Sequence, residues 1–260
     1  MRAAAALLLA LAASLPPASL ANDSKVTSRG YWVLGKQRNT TYYLDTGLAE
    51  GVANIVLESQ QARPRAASGP ANLLDFGAGM GTYVRYWQER GISSHGYEGA
   101  PDVEQATDGL IQRRDFTEPF SQCVEYEWVT CLEVAEHIPG KFEVPFLANL
   151  NCSVGSVLVM SWAPPGQGGT GHINLRSRAY VVTTLQGFGF EEDVEASRKL
   201  PGELCSQVVS QEHDRAPARQ HTVELAEANR FIYLKRTFYQ AKLKLTKREN
   251  KREGITSGSP

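Results

Sequence analysis

The sequence predicts an α/β protein with a doubly wound, mostly parallel sheet of seven strands. Two observations favour this class. From residue 71 onward, short apolar runs alternate with segments of helical character, as expected for parallel strands joined by crossover helices. A glycine-rich turn, DFGAGMG, follows the first apolar run and precedes the first helical segment. One domain of this kind accounts for the chain from about residue 30 to residue 240.

The predicted strands and helices alternate along the chain. The strand sequences, in order, are NLLDF, SHGYEG, IQRRDF, EWVTCLEV, SVLVMSWA, FEEDVEAS and NRFIYLKRTF. The last two are expected to form an antiparallel pair at the edge of the sheet. The crossover helices are predicted at residues 82–90, 102–110, 140–150 and 177–187. A further helix is predicted ahead of the sheet, because apolar residues with helical spacing follow Asp45, a residue type that caps helices.

The two ends of the chain differ from this domain. Residues 1–21 carry one basic residue, an uncharged Ala/Leu run and small residues before the expected cleavage site, which predicts a secretory signal peptide. An organelle transit peptide and retention as an uncleaved anchor are the alternatives. Residues 22–70 are predicted as a helical segment and connector, 71–240 as the main domain and 241–260 as a flexible basic tail. The alternative for the tail is contact with an acidic partner or a lipid surface.

Composition and short motifs narrow the partners. A formal net charge of −1 gives no overall attraction to nucleic acid, so no nucleic-acid partner is expected. The apolar run at the start is too short to span a bilayer comfortably, so no membrane span is expected once the signal is removed. Sequons at Asn22, Asn39 and Asn151 agree with a glycoprotein of the secretory pathway, in the ER or Golgi lumen or secreted. The four cysteines lack C-x-x-C spacing, and their pairing stays open.

The glycine turn does not fit the two most common nucleotide motifs. A dinucleotide site needs a third glycine at position 82, where the chain has Thr82. A phosphate-binding P-loop needs a Gly-Lys-Ser/Thr sequence, which does not follow. The turn instead reads Asp75-x-Gly77-x-Gly79-x-Gly81, with an acid two residues before three alternating glycines.

This pattern resembles the first motif of the class I, Rossmann-like, S-adenosylmethionine (AdoMet)-dependent methyltransferases. A second stretch, CLEVAEHIP, closely resembles the EVxEH sequence at the end of the fourth strand in that family. The resemblance covers roughly residues 71 to 190. It implies a Rossmann-like sheet, AdoMet as the cofactor and a methyltransferase activity.

The resemblance also assigns residues of the cofactor pocket. Asp75 is expected near the amino-acid end of AdoMet, Glu98 at the ribose hydroxyls, Asp115 at the adenine amino group and Phe116 along the adenine ring. The remaining positions assigned to the pocket are Gly77, Ala78, Gly79, Gly81, Leu132 and Glu133.

An acid–histidine cluster is predicted beside this pocket. Glu133, Glu136 and His137 have the spacing of one helical turn, and His172 lies in the Gly/Pro-rich loop after the fifth strand. The combination resembles the metal site of the small-RNA 2′-O-methyltransferases, which implies Mg²⁺ or Mn²⁺ bound by all four residues. Two other interpretations stay open: His172, His137 and Glu133 as catalytic groups without a metal, or packing around the cofactor.

The expected function is transfer of a methyl group from AdoMet to an unidentified acceptor, an oxygen of a small molecule or glycan. A catalytically silent AdoMet-fold module that binds a partner is one alternative. A nicotinamide-dependent oxidoreductase is another, against which the missing third glycine counts. The acceptor and the oligomeric state are left open by the sequence.

Overall fold

The computed structural model describes residues 26–34, 44–62, 72–198, 200 and 230–235. The predicted signal peptide, the Asn22 and Asn39 sequons, Cys205 and the basic tail lie outside these residues. Within them, no helix combines the length and the apolar composition that crossing a membrane requires.

Six helices and seven strands are found in the described residues. The helices are α1 (Thr46–Gln61), α2 (Thr82–Gln88), α3 (Val103–Ala106), α4 (Glu143–Ser153), α5 (Arg178–Gly187) and α6 (Val194–Arg198). The strands are β1 (Asn72–Phe76), β2 (Ser93–Glu98), β3 (Gln112–Arg113), β4 (Tyr126–Cys131), β5 (Val154–Ser161), β6 (Phe190–Glu192) and β7 (Arg230–Lys235). Short 3₁₀ turns cover Ala135–His137 and Gly140–Phe142.

These seven strands form one mostly parallel sheet, as predicted, in the order β3-β2-β1-β4-β5-β7-β6. The first five strands pair in parallel, whereas β7 is antiparallel to both β5 and β6. The chain moves outward from β1 to β3 and then returns to the other side of β1 with β4. A sheet of this kind binds ligands beyond the carboxyl ends of the strands at this reversal point, between β1 and β4.

The sixth predicted strand is shorter than the sequence suggested. The run FEEDVEAS was predicted as one strand, but only Phe190–Glu192 pairs with β7, and Val194–Arg198 is helical. The cause is Asp193, whose side chain accepts a hydrogen bond from the backbone N–H of Ala196 at 3.1 Å. An aspartate in this position begins a helix by satisfying a backbone donor of its first turn. The antiparallel pairing of the last two strands is confirmed.

Helix α1 belongs to the core of the sheet domain. Its N-terminus is capped as predicted, since the Asp45 carboxylate accepts a hydrogen bond from the Leu48 N–H at 2.9 Å. Leu48 is fully buried in one cluster with Leu73 of β1 and Trp87 of α2. The Trp87 indole N–H also donates to the carbonyl oxygen of Ala49 at 2.9 Å. The helix therefore packs against β1 and α2.

One disulfide joins the loop before β4 to the end of α4. Cys123 and Cys152 are bonded, with 5.7 Å between their Cα atoms, and Cys131 is free and buried in β4. The third sequon lies beside this disulfide, within α4, and the side-chain oxygen of Asn151 is buried.

Candidate functional site at the carboxyl edge of the sheet

The glycine turn after β1 has a backbone that only glycine adopts readily. Gly77, Gly79 and Gly81 have positive φ angles of 103°, 51° and 76°. A Cβ atom added to Gly77 would lie 2.2 Å from a methyl carbon of Val134, and one added to Gly81 would lie 2.9 Å from Ile111. The turn therefore packs closely against the loops after β4 and α3, and a side chain at either position would displace it.

Two buried acids flank this turn. Asp75, at the end of β1, accepts a hydrogen bond from the Thr130 hydroxyl at 2.8 Å. Burial raises the pKa of Asp75 from 3.8 to about 7; Thr130 opposes the shift and the nearby Glu98 charge adds to it. Glu98, at the end of β2, accepts the backbone N–H groups of Gly79 and Ala100, one on each oxygen, both at 3.0 Å. Its carboxylate thus ties the glycine turn to the loop after β2.

The third predicted acid, Asp115, is engaged by an N-terminal segment. It accepts hydrogen bonds from the Tyr31 hydroxyl, from Arg29 Nη1 at 2.7 Å, and from the Thr117 N–H and hydroxyl at 2.9 and 2.6 Å. Three of these four donors share Oδ1, whereas Oδ2 accepts from Arg29. Asp75, the glycine turn, Glu98 and Asp115 are called the glycine-turn pocket below.

Three other residues assigned to the cofactor pocket are largely buried in apolar clusters. The Phe116 ring is 2% exposed and stacks on Phe76, with 4.1 Å between the ring centroids. Leu132 packs in the cluster that contains Leu73, and Ala78 packs in a third cluster beneath the glycine turn. Phe116 therefore contacts the core rather than the crevice.

The acid–histidine cluster forms beyond β4, although the helical turn behind its prediction is only a short 3₁₀ turn. Glu133 has a positive φ of 56°. It is held by Ser161 of β5, whose hydroxyl accepts from the Glu133 N–H at 2.7 Å and donates to its carboxylate at 2.8 Å. Glu136 is fully buried, and neither of its carboxylate oxygens receives a hydrogen bond from the described residues. Burial, and then the Glu133 carboxylate, raise the pKa of Glu136 well above its usual value.

Two imidazoles complete this cluster. The rings of His137 and His172 meet edge to face, with centroids 5.0 Å apart. One ligand-type atom each from Glu136, His137 and His172 lie within 4.8 Å of one another. Burial, and then the His172 charge, lower the pKa of His137 to about 4, and burial also lowers the pKa of His172. Both imidazoles are therefore neutral at pH 7, the form that binds metals and accepts protons.

The loop that carries His172 is anchored by residues that no sequence motif indicated. Glu143, at the start of α4, accepts hydrogen bonds from Asn174 at 3.1 Å, from Arg176 at 2.7 and 3.0 Å, and from the Tyr180 hydroxyl. The backbone N–H of Asn174 also donates to the carbonyl oxygen of Glu136 at 2.9 Å. No sequence motif indicates this role for Glu143, because its partners lie more than 30 residues further along the chain.

A second element that the sequence did not predict is the segment Val26–Leu34, called the strap below. A backbone bridge between Val26 and Trp32 closes it into a turn. Its Trp32 ring meets the His137 ring edge to face, at 5.3 Å between centroids. The strap thus contacts the acid–histidine cluster through Trp32 and the glycine-turn pocket through Tyr31.

No protein-family model matches the sequence, and the search of curated proteins also finds no match. Solved structures with a similar fold include the magnesium protoporphyrin IX methyltransferase ChlM from Synechocystis with bound SAM, at 13% identity and a TM-score of 0.45, covering 73% of this chain and 80% of that one. Another is CalS10, an amino pentose methyltransferase from Micromonospora echinaspora, at 15% identity and a TM-score of 0.48, covering 72% and 89%. A third is a TehB-like SAM-dependent methyltransferase from Corynebacterium glutamicum, at 16% identity and a TM-score of 0.45, covering 72% and 86%.

Identities and TM-scores this low say nothing about the activity of this chain. The topology of the sheet in this chain identifies the fold. Its sheet has the order β3-β2-β1-β4-β5-β7-β6, β7 is antiparallel to its neighbours, and the glycine turn follows β1 at the reversal point. The described residues therefore have the fold of the class I AdoMet-dependent methyltransferases, the family that the sequence motifs resemble.

Proposed function

We propose that the chain is an AdoMet-dependent methyltransferase that acts on an oxygen of a small molecule or a glycan. The observation that carries the proposal is the glycine-turn pocket. The Asp75-x-Gly77-x-Gly79-x-Gly81 turn lies at the reversal point of the sheet, with Glu98 bonded across it at 3.0 Å. Bare backbone there allows a close approach by the cofactor, and the Glu98 carboxylate keeps capacity to accept ribose hydroxyls.

The acid–histidine cluster supports an oxygen acceptor. In methyl transfer, a lone pair of the acceptor oxygen forms a bond to the methyl carbon while the carbon–sulfur bond breaks, and its electrons remain on the sulfur of S-adenosylhomocysteine. A hydroxyl acceptor must also give up its proton. If no metal is bound, the neutral imidazoles of His137 and His172 can take that proton. Holding the acceptor in line with the methyl group supplies much of the remaining acceleration.

We also propose that this cluster holds Mg²⁺ or Mn²⁺. Glu136 supports a cation site, since a fully buried carboxylate that receives no hydrogen bond from the described residues is costly in its charged form unless a cation pairs with it, and otherwise keeps a proton that a cation can replace. His137 fits as well, because its Nδ1 lies 3.1 Å from the carbonyl oxygen of Gly171, the second contact that orients a metal-binding imidazole. The Nδ1 atom of His172 is buried and has no hydrogen-bond partner within the described part of the chain.

In this proposal Glu136, His137 and His172 are ligands, and Glu133 is the fourth. The Glu133 carboxylate is close enough to raise the pKa of Glu136 and to oppose the lowering of the His172 pKa. Carboxylate and imidazole donors suit Mn²⁺, and two carboxylates with few imidazoles also accommodate Mg²⁺. When bound, the ion would polarise the acceptor oxygen and ease its deprotonation.

Cofactor titration tests the proposed activity. Isothermal titration of the folded full-length chain with AdoMet and with NADH is expected to give binding of AdoMet alone. Binding of NADH alone would favour the oxidoreductase alternative, and no binding of AdoMet by folded protein would contradict the proposal. Incubation with methyl-labelled AdoMet and fractionated extract then separates an enzyme from a silent binding module, because only an enzyme labels a fraction.

Metal binding is tested by thermal unfolding with Mn²⁺. At a concentration of 100 times the Kd, a ligand stabilises by about 2.7 kcal/mol, which raises the Tm of a protein of this size by several degrees. Glu136→Gln is expected to abolish the rise. Asp45→Asn is the matched control, since it also neutralises a buried acid but keeps a good N-cap for α1, far from the cluster. An equal rise in the wild type and in Glu136→Gln, or activity that survives EDTA and His172→Ala, would contradict the metal site.

A further inference from the structure

The strap covers the carboxyl edge of the sheet from one side of the crevice to the other. On one side of the crevice, Trp32 meets His137 of the acid–histidine cluster. On the other side, Leu34 is buried in one apolar cluster with Ala78 of the glycine turn and Ala100 after β2. Since a ring contact and a buried apolar contact hold it on both sides, the strap is packed against the pocket and not merely adjacent to it.

Tyr31 lies at the middle of the strap and fills the space between two of the pocket loops. Its ring rests on the bare backbone of Gly99, the residue after Glu98: a Cβ added to Gly99 would be 2.2 Å from two carbons of the ring. Its hydroxyl donates to Asp115 at the far side of the pocket. Tyr31 is 6% exposed, so the phenol ring is enclosed there.

Arg29, like Tyr31, attaches the strap to Asp115, in this case through an ion pair. Its guanidinium is paired with Asp115 at 2.7 Å and with Glu118 at 2.9 Å. Together with the two donors of Thr117, Arg29 and Tyr31 bring Asp115 to four hydrogen bonds. Because Tyr31 and both Thr117 donors already occupy Oδ1, a ligand donor could bond to that oxygen only by replacing one of them.

We infer that Tyr31 occupies the place of the adenine base and that the strap and the adenosine part of AdoMet exclude one another. The inference rests on the proposed function, in which Glu98 faces the ribose and Asp115 the adenine amino group. An aromatic ring between two surfaces needs about 3.5 Å on each side, and Tyr31 contacts Gly99 and Asp115 directly. The phenol reproduces both features of adenine that the pocket would recognise, a flat ring over Gly99 and a donor to Asp115.

Cofactor binding therefore requires the strap to leave this edge. The same displacement moves Trp32, which packs on His137, so the acid–histidine cluster is uncovered in the same step. The chain then binds AdoMet before the acceptor, and in the absence of AdoMet both parts of the crevice are covered.

Affinity for S-adenosylhomocysteine tests the inference, because it requires no acceptor. Tyr31→Ala removes the competing ring and hydroxyl, and we expect the Kd measured by isothermal titration to fall about tenfold, the equivalent of about 1.4 kcal/mol. Tyr86→Ala is the control, since it also removes a partly buried phenol ring, one on α2 that packs against Arg90 rather than against Gly99 and Asp115. Its Kd is expected to stay within about twofold of the wild type.

Limited proteolysis gives an independent readout. Trypsin cleaves after Arg29, whose side chain is paired in the strap, and S-adenosylhomocysteine is expected to speed this cleavage several-fold in the wild type relative to other sites in the chain. Slower or unchanged cleavage, or a Kd for Tyr31→Ala that is equal to or weaker than the wild-type value, would overturn the inference and leave the proposed function intact. A wild type and a variant that are both folded and both fail to bind would overturn the proposed function, and this inference with it.

Discussion

The acids on the two sides of the crevice differ in the hydrogen bonds that they receive. In the glycine-turn pocket, the protein itself supplies donors: one hydroxyl for Asp75, two backbone N–H groups for Glu98 and four donors for Asp115. In the acid–histidine cluster, Glu136 is fully buried and receives no hydrogen bond from the described residues, and the Nδ1 atom of His172 has no partner among them.

This difference indicates what each side needs from a ligand. The carboxylates of the glycine-turn pocket already accept hydrogen bonds from the protein. A cofactor must therefore replace some of these donors or use the acceptor sites that remain. Glu136 lacks such compensation, and a buried polar group without a partner costs free energy. A cation suits that side, and a ligand that carries hydrogen-bond donors suits the other. Substitutions that remove one feature at a time test this division.

The largest effect on ligand affinity is expected for the glycine turn. Gly77→Ala forces a Cβ to within 2.2 Å of Val134 at a φ of +103°, so the turn must move away from its place at the reversal point. We expect affinity for S-adenosylhomocysteine to fall by about 100-fold, or about 2.7 kcal/mol. Isothermal titration measures the change.

The matched control is Gly91→Ala. Gly91 also has a positive φ, +78°, but a Cβ there has no atom within 4 Å. The same backbone strain, about 1 kcal/mol, should lower the Tm and leave the affinity unchanged. If both variants lost affinity equally, global destabilisation and not the shape of the turn would be the cause.

The next effect concerns Asp75 and depends on pH. Its pKa is raised from 3.8 to about 7 by burial, so the folded state keeps a proton that the unfolded chain has lost between these pH values. The stability of the wild type therefore falls as pH rises through this range, by about 1.4 kcal/mol for each pH unit. Asp75→Asn removes the titration. Its free energy of unfolding, measured in urea, should exceed that of the wild type by a difference that grows from pH 4 to a plateau of up to about 4 kcal/mol above pH 7.

Thr130→Val provides the internal check on this result. The Thr130 hydroxyl opposes the raised pKa, so its loss should move the midpoint of the stability change to higher pH. A difference between Asp75→Asn and the wild type that stayed constant with pH would contradict burial of a titrating Asp75.

Most of the fold could be predicted from the sequence, because its signals are local. Apolar runs, the Asp45 cap and the glycine turn each lie within a few residues of the element they define. The length of β6 was wrong because one residue, Asp193, caps a helix inside an apparently strand-forming run. The helical turn expected over residues 133–137 was also too long, although Glu136, His137 and His172 still meet.

The site was less predictable where it depends on distant contacts. The cluster of Glu136, His137 and His172 was predicted, since strand ends and the loops beyond them converge at one edge of a parallel sheet. The engagement of Asp115 by Arg29 and Tyr31 was not, because 84 or more residues separate the partners and the strap contains no motif. The roles proposed for these residues stay predictions until ligands are measured.

The smallest effect is expected at Ser161, which holds Glu133. Ser161→Ala removes both hydrogen bonds to Glu133, whose positive φ they support, and we expect a loss of about 1–2 kcal/mol in the free energy of unfolding and a few-fold weaker binding of Mn²⁺. Ser153→Ala is the control, as Ser153 is equally buried but bonds only to Asn149 within α4 among the contacts described. If both variants bound Mn²⁺ equally to the wild type, Glu133 would not be a ligand.

The position of β7 has a consequence for how the sheet is completed during synthesis. This strand lies between β5 and β6, although it follows both in the chain by more than 35 residues. Until residues 230–235 have left the ribosome, β5 presents an unpaired, largely apolar edge and β6 has no neighbour to join. Such an edge can pair with other chains. A nascent or truncated chain that stops before residue 230 is therefore the form most exposed to aggregation and most dependent on chaperones.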